Sequence, residues 1–144
     1  MMTNASVPAA PSLGQIIAYW SRTIGYWATT LLVAFLMATG GAFLLWRPPQ
    51  LIEIMTRLSY PAYLCVILGV WKVLGAVALL LPRTPRLKEW AYAGTFFELT
   101  GAAASHYAAG HRVDDITIPL FIALIAVASW ALRPPSRRLA GPIL

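Results

Sequence analysis

Four long apolar runs, Gly25–Trp46, Pro61–Leu81, Trp90–Ala109 and Ile116–Leu132, make up most of this chain. About twenty such residues, wound as a helix, cross a hydrocarbon layer of ~30 Å. Lipid offers no partner to backbone N–H and C=O groups, so each run must satisfy its own, which a helix does. Composition agrees. Of 144 residues, 59% are hydrophobic and 11% charged, whereas an ordinary soluble domain carries roughly 25% charged residues. The expected fold class is all-α: an integral membrane four-helix bundle with a short interfacial helix between the first two spans. The expected domain covers residues 13–133, after a flexible N-terminal tail (1–12) and before a basic C-terminal tail (134–144).

The boundaries follow from local chemistry. The first 21 residues hold no Lys or Arg, so the basic region that opens a secretory signal peptide is missing. Leu13–Trp20 reads as a helical, interfacial approach with Tyr19 and Trp20 at headgroup level. Arg47-Pro48-Pro49 ends the first span, because Pro49 pushes Pro48 out of helical geometry. In Gln50–Ser59, Leu51, Ile52, Met55 and Leu58 recur at helical spacing, while Glu53, Thr56 and Arg57 take other positions. This is the pattern of a short amphipathic helix lying in the interface. Pro61 is expected in the first turn of the second span. Asp114 or Asp115 is expected to N-cap the fourth, with Pro119 in its opening turn.

Four spans would put both termini on one side. Arg22, Arg83, Arg86, Lys88, Arg133, Arg137 and Arg138 share that side, against Arg47, Arg57 and Arg112 on the other. The positive-inside rule then places both termini in the cytoplasm. Tyr26, Trp27, Trp90, Tyr92 and Trp130 would mark the inner interface, and Trp46, Tyr60, Tyr63 and Tyr107 the outer. The net charge of +6 is thus a topology signal. Beyond Arg137-Arg138 there is no dense basic run and no nucleic-acid-reading motif, so no nucleic-acid partner is expected.

Lys72 and Glu98 are the central charges of the second and third spans. An ionisable group at mid-bilayer costs roughly 2.5–3.5 kcal/mol on the insertion scale, and such groups are paired, water-lined or functional. Counted inward from the outer ends, both lie roughly 16 Å deep. Neighbouring antiparallel helices would therefore bring them together. Three readings remain open: a buried ion pair fixing helix register, the polar wall of a ligand pocket, or proton transfer.

On the third span Gly94, Glu98, Gly101 and Ser105 share one stripe, flanked by Ala91 and Ala102. Small residues either let helices approach closely or leave room for a ligand beside Glu98, and Gly69, Gly75 and Ala76 near Lys72 invite the same two readings. The candidate ligand-binding residues are Lys72, Glu98, Trp71, Gly94, Gly101, Ser105 and His106, with Phe97 as a further aromatic able to turn toward the pocket. His106 is an outer polar group or a proton entry toward Glu98. His111, five residues on, does not share its helical face, and a metal needs three or four converging ligands, so no metal is expected. Cys65, the single cysteine, reads as a packing residue. There is no CxxC pair, phosphate-binding loop, nucleophile elbow or HExxH signature.

The stretches Ser59-Tyr60-Pro61-Ala62-Tyr63, Gly69-Val70-Trp71-Lys72-Val73-Leu74-Gly75-Ala76 and Leu81–Gly94, and the continuation Glu98…Gly101-Ala102…Ser105-His106, resemble the DoxX-like family of small bacterial membrane proteins over residues 25–132. The resemblance implies a four-helix membrane bundle in the bacterial cytoplasmic (inner) membrane. Some members of the wider family are subunits of a thiosulfate:quinone oxidoreductase, others belong to membrane redox-stress complexes, and eukaryotic relatives act as assembly factors. The leading expectation is a non-catalytic membrane subunit or binding module that holds a quinone or lipid against Lys72 and Glu98. The alternatives are a membrane subunit of a quinone-linked oxidoreductase whose partner supplies the redox centre, and a proton-coupled transporter using Glu98 and His106. Expected partners are the lipid bilayer, a lipophilic small molecule, other membrane or redox subunits, and a second copy in a homodimer.

Overall fold

The computed structural model describes residues 12–138. Most of the expected N-terminal tail and the end of the C-terminal tail lie outside them. The described residues form five α-helices and no strand: α1 (Leu13–Trp46), α2 (Pro49–Arg57), α3 (Tyr63–Leu80), α4 (Pro85–Ala108) and α5 (Val113–Leu132), followed by a 3₁₀ turn at Pro135–Arg137. The four long helices close a ring, with α1 against α3 and α5, and α4 against α3 and α5.

α1 runs unbroken for 34 residues, about 51 Å, longer than a bilayer core. The approach segment is therefore the first turns of the same helix. Ser12 and Gln15 start it with a reciprocal capping box, which satisfies two N-terminal backbone N–H groups. Ser21 and Thr23 do not break it, because their hydroxyls bond back to the carbonyls of Ala18 and Tyr19. Arg47 ends it in left-handed geometry, at φ 51°. Pro49 then opens α2 at its first position. Leu51 of α2 is buried with Leu44 and Cys65 in a small second core, with Ile52 and Met55 packed beside it. Glu53, Thr56 and Arg57 are exposed, as the amphipathic pattern requires.

Two starts differ from expectation. α3 begins at Tyr63, with Pro61 before it in a turn whose carbonyl accepts from Leu64. α5 begins at Val113, with Arg112 at the cap position and no side-chain cap bond. Asp114 and Asp115 fall inside its first turn, where their charge complements the helix dipole. Pro119 consequently lies in the second turn, not the first.

By length and composition α1, α3 and α5 can each cross a membrane. α4 has 24 residues, about 36 Å, but Arg86, Lys88, Glu89 and Glu98 lower its apolar character. The main core joins Val33, Ala34 and Met37 of α1, Ala76 and Leu79 of α3, Tyr92 of α4 and Ala126 of α5. Small residues matter here because helices in lipid associate through close packing. α1 and α3 approach closely at their glycines: a Cβ on Gly41 would stand 2.9 Å from the Gly69 carbonyl oxygen, and one on Gly69 3.0 Å from that of Gly41.

Candidate functional site: a cavity holding a Lys–Glu pair

The Gly41–Gly69 contact sets the depth and rotation of α3 against α1. Lys72 lies one turn further along α3, close enough to Gly40 that a Cβ there would meet its Nζ at 3.6 Å. From that position the ammonium crosses to α4, where Nζ lies 3.0 Å from Glu98 Oε1. The side chains remain 16% and 22% exposed respectively. A lysine ammonium carries three N–H donors and a carboxylate about four acceptor positions, so one contact between them leaves both groups able to bind something else.

What they face is a cavity of about 320 Å³ between α3 and α4. Its walls include Trp71, Leu74 and Gly75 of α3, Leu87, Trp90 and Gly94 of α4, and Met37 of α1 at the back. Two glycines shape it differently. A Cβ on Gly75 would collide with Met37 Cε at 2.6 Å, whereas one on Gly94 would meet nothing within 4 Å. Gly75 thus lets Met37 sit against α3, and Gly94 leaves space. Thr95 holds Met37 by donating its hydroxyl to the sulfur at 3.1 Å, while also bonding the Ala91 carbonyl.

Of the seven candidate residues, Lys72, Glu98, Trp71 and Gly94 line this cavity. Gly101, Ser105 and His106 do not. Gly101 faces open space. Ser105 bonds Tyr60 Oη at 2.6 Å and lines a separate cleft with Arg57 and Leu58. The α4 stripe is therefore divided: its inner half faces α3, and its outer half meets the segment after α2. Its glycines do not provide close packing, which occurs instead at Gly41 and Gly69. Phe97 points elsewhere too, lining a groove with Phe96, Ala126 and Val127 between α4 and α5. His106 turns to His111, Nδ1 to Nδ1 at 2.8 Å. Their separation of five would place them on different faces of one helix, but α4 ends at Ala108 and the chain folds back.

The half of the bundle nearer the start of α4 and the end of α5 holds a polar layer that composition does not reveal. Thr30, Tyr92 and Ser129 are buried and hydrogen-bonded, with Thr30–Ser129 at 2.7 Å and Tyr92–Ser129 at 2.8 Å. Tyr26 and Tyr92 thus turn into the bundle and not toward its surface. Lys88 is fully buried, with Nζ donating to the Ala78 carbonyl at 3.0 Å and to that of Leu79. Those carbonyls belong to the last turn of α3, which lacks helical partners and carries the negative end of the dipole. Glu89 accepts from Arg133 at 2.7 Å and from the Trp130 indole at 2.8 Å, tying α4 to the end of α5. Single hydroxyls inside apolar runs give no periodic signal, and in the sequence Lys88 counts only as one of the basic charges beside a turn.

Comparison with curated proteins and with solved structures finds no match. A sequence model of the DoxX-like family matches residues 28–129, which include both members of the ion pair and every wall of the cavity from Met37 to Glu98. The match extends over more than half of the sequence, and the chain belongs to the DoxX-like family.

Proposed function

We propose that this membrane protein is a binding module for a lipophilic molecule with a polar head, a quinone or a lipid, held in the cavity between α3 and α4. The observation that carries the reading is the partly open Lys72–Glu98 pair in the wall of an otherwise apolar cavity. Ligand sites in helical bundles lie between helices and combine apolar walls with a few polar groups, in volumes of about 300–1,000 Å³. The ammonium would donate to a quinone carbonyl or a headgroup oxygen, and the carboxylate would accept from a hydroxyl. Trp71 and Trp90 would flank the head, and the tail would leave past Leu74 and Leu87. Titration with a short-chain quinone, followed by quenching of tryptophan fluorescence, tests this. Lys72→Met should weaken saturable quenching about tenfold or more, and phospholipid should compete if the site takes lipid headgroups. Saturable quenching that survives both Lys72→Met and Glu98→Gln unchanged would refute it, as would its absence together with an absence of bound lipid.

The same reading makes α4 the fourth span, its central acid neutralised by Lys72 and its inner charges at the membrane surface, and so completes a four-helix membrane bundle. Both termini then face the cytoplasm of a bacterial inner membrane. A cysteine placed in the Gly110–Asp115 turn of a Cys65→Ala protein should react with an impermeant maleimide in intact cells. Reaction only after permeabilisation would reverse the orientation.

A further inference from the structure

At the outer end of the bundle the chain makes a tight reversal with definite chemistry. Gly110 sits at φ +66°, a conformation open to glycine because it has no Cβ. Its N–H donates to the Tyr107 carbonyl at 3.1 Å, and the His111 N–H donates to the His106 carbonyl at 3.0 Å. This pair of bonds is a Schellman motif, in which the residue two beyond the helix cap comes back over the third residue before it. Here the two residues brought together are His106 and His111. Their Nδ1 atoms lie 2.8 Å apart. Asp115, in the first turn of α5, offers a carboxylate oxygen, and one ligand atom from each of the three lies within 4.8 Å of the others.

We infer that His106, His111 and Asp115 form a binding site for a divalent transition metal, with Zn²⁺ the best fit. Imidazole and carboxylate ligands suit the borderline ions of this class. Tetrahedral zinc with Zn–N bonds of about 2.0–2.1 Å sets ligand nitrogens about 3.3 Å apart. The two histidines therefore need to open by only about half an ångström, and the exposed Asp115 can swing the rest of the way. The neighbouring cation does not compete for that carboxylate, because Arg112 is paired with Asp114 at 3.1 Å. Both histidines are half-buried against the turn, which limits the rotamer freedom lost on binding. Three protein ligands leave the fourth position of a tetrahedral ion open. Bound metal would fasten the end of α4 to the start of α5.

This site is independent of the cavity and can be tested separately. Full-length protein in detergent, freed of any affinity tag, is titrated with Co²⁺ while its visible d–d absorption is recorded, and Zn²⁺ is then added as competitor. The expected result is one Co²⁺ per chain, displaced by Zn²⁺. Affinity should fall about tenfold or more in His106→Ala, His111→Ala and the near-isosteric Asp115→Asn, with the helical circular dichroism unchanged. The cavity variant Lys72→Met should bind as the parent does. No visible absorption at saturating Co²⁺, or an affinity unaltered in Asp115→Asn and in the folded histidine variants, would overturn the assignment.

Discussion

Breaking the Lys72–Glu98 pair from each side separates a coupled ion pair from two charges that happen to be near each other. At 3.0 Å the Coulomb attraction is about 5–6 kcal/mol with an effective dielectric of 20. Desolvation offsets much of it, and the residual exposure of both side chains lets water or headgroups screen the rest. The net coupling should therefore exceed the ~0–1 kcal/mol of a surface pair, and fall short of the full electrostatic value, at about 1–3 kcal/mol. Lys72→Met strands a carboxylate, and Glu98→Gln strands an ammonium while keeping its shape. Each should destabilise by about 2–3 kcal/mol, somewhat below the ~3–5 kcal/mol of a fully buried pair. The double variant strands neither charge and should lose clearly less than the sum. The assay is reversible unfolding of all four proteins in mixed micelles, followed by helical circular dichroism. Strict additivity would refute the coupling, and with it the argument that each charge makes the other tolerable in the membrane.

The other perturbations follow from single contacts. Lys88→Met removes both bonds to the last turn of α3 and leaves its carbonyls buried, so stability should fall by about 1–3 kcal/mol; an unchanged midpoint would deny Lys88 that capping role. Gly41→Val puts a side chain against the Gly69 backbone and should cost about 1–3 kcal/mol or more, whereas Gly101→Ala enters open space and should stay within about 0.5 kcal/mol; equal effects in the unfolding assay would contradict the packing described. Ser129→Ala removes the hydroxyl shared by Thr30 and Tyr92 and should cost about 1 kcal/mol, read in the same way.

Long apolar runs are a strong signal: they match α3 and α5 to within a few residues, and they match the end of α1 but not its start, which lies twelve residues before the run. Depth counting from the helix ends was enough to bring Lys72 and Glu98 together, because antiparallel neighbours with similar rise per residue preserve depth. It could not say which way α4 is rotated, so Gly101 and Ser105 were read with Glu98, although the segment after α2 meets that end of the stripe. A spacing of five separates His106 and His111 only along a continuous helix; the Gly110-His111 step is the sign in the sequence that the helix ends and folds back. Depth along a helix gives Tyr26 and Tyr92 no facing direction, and the hydroxyls of Thr30 and Ser129 on other helices explain why Tyr92 turns into the bundle. Ser12 and Gln15 form a capping box legible in the residues themselves, yet the aromatic cluster after them drew the reading toward a separate interfacial segment.

The most direct test of the central claim is native mass spectrometry of the protein extracted in mild detergent, comparing the parent with Gly94→Leu. A leucine at this position enters the cavity without meeting protein atoms at its Cβ, so the variant should fold and lose the space. The parent should carry one quinone or lipid per chain and Gly94→Leu none. Equal retention by a folded Gly94→Leu, or a parent that retains nothing, would contradict the claim.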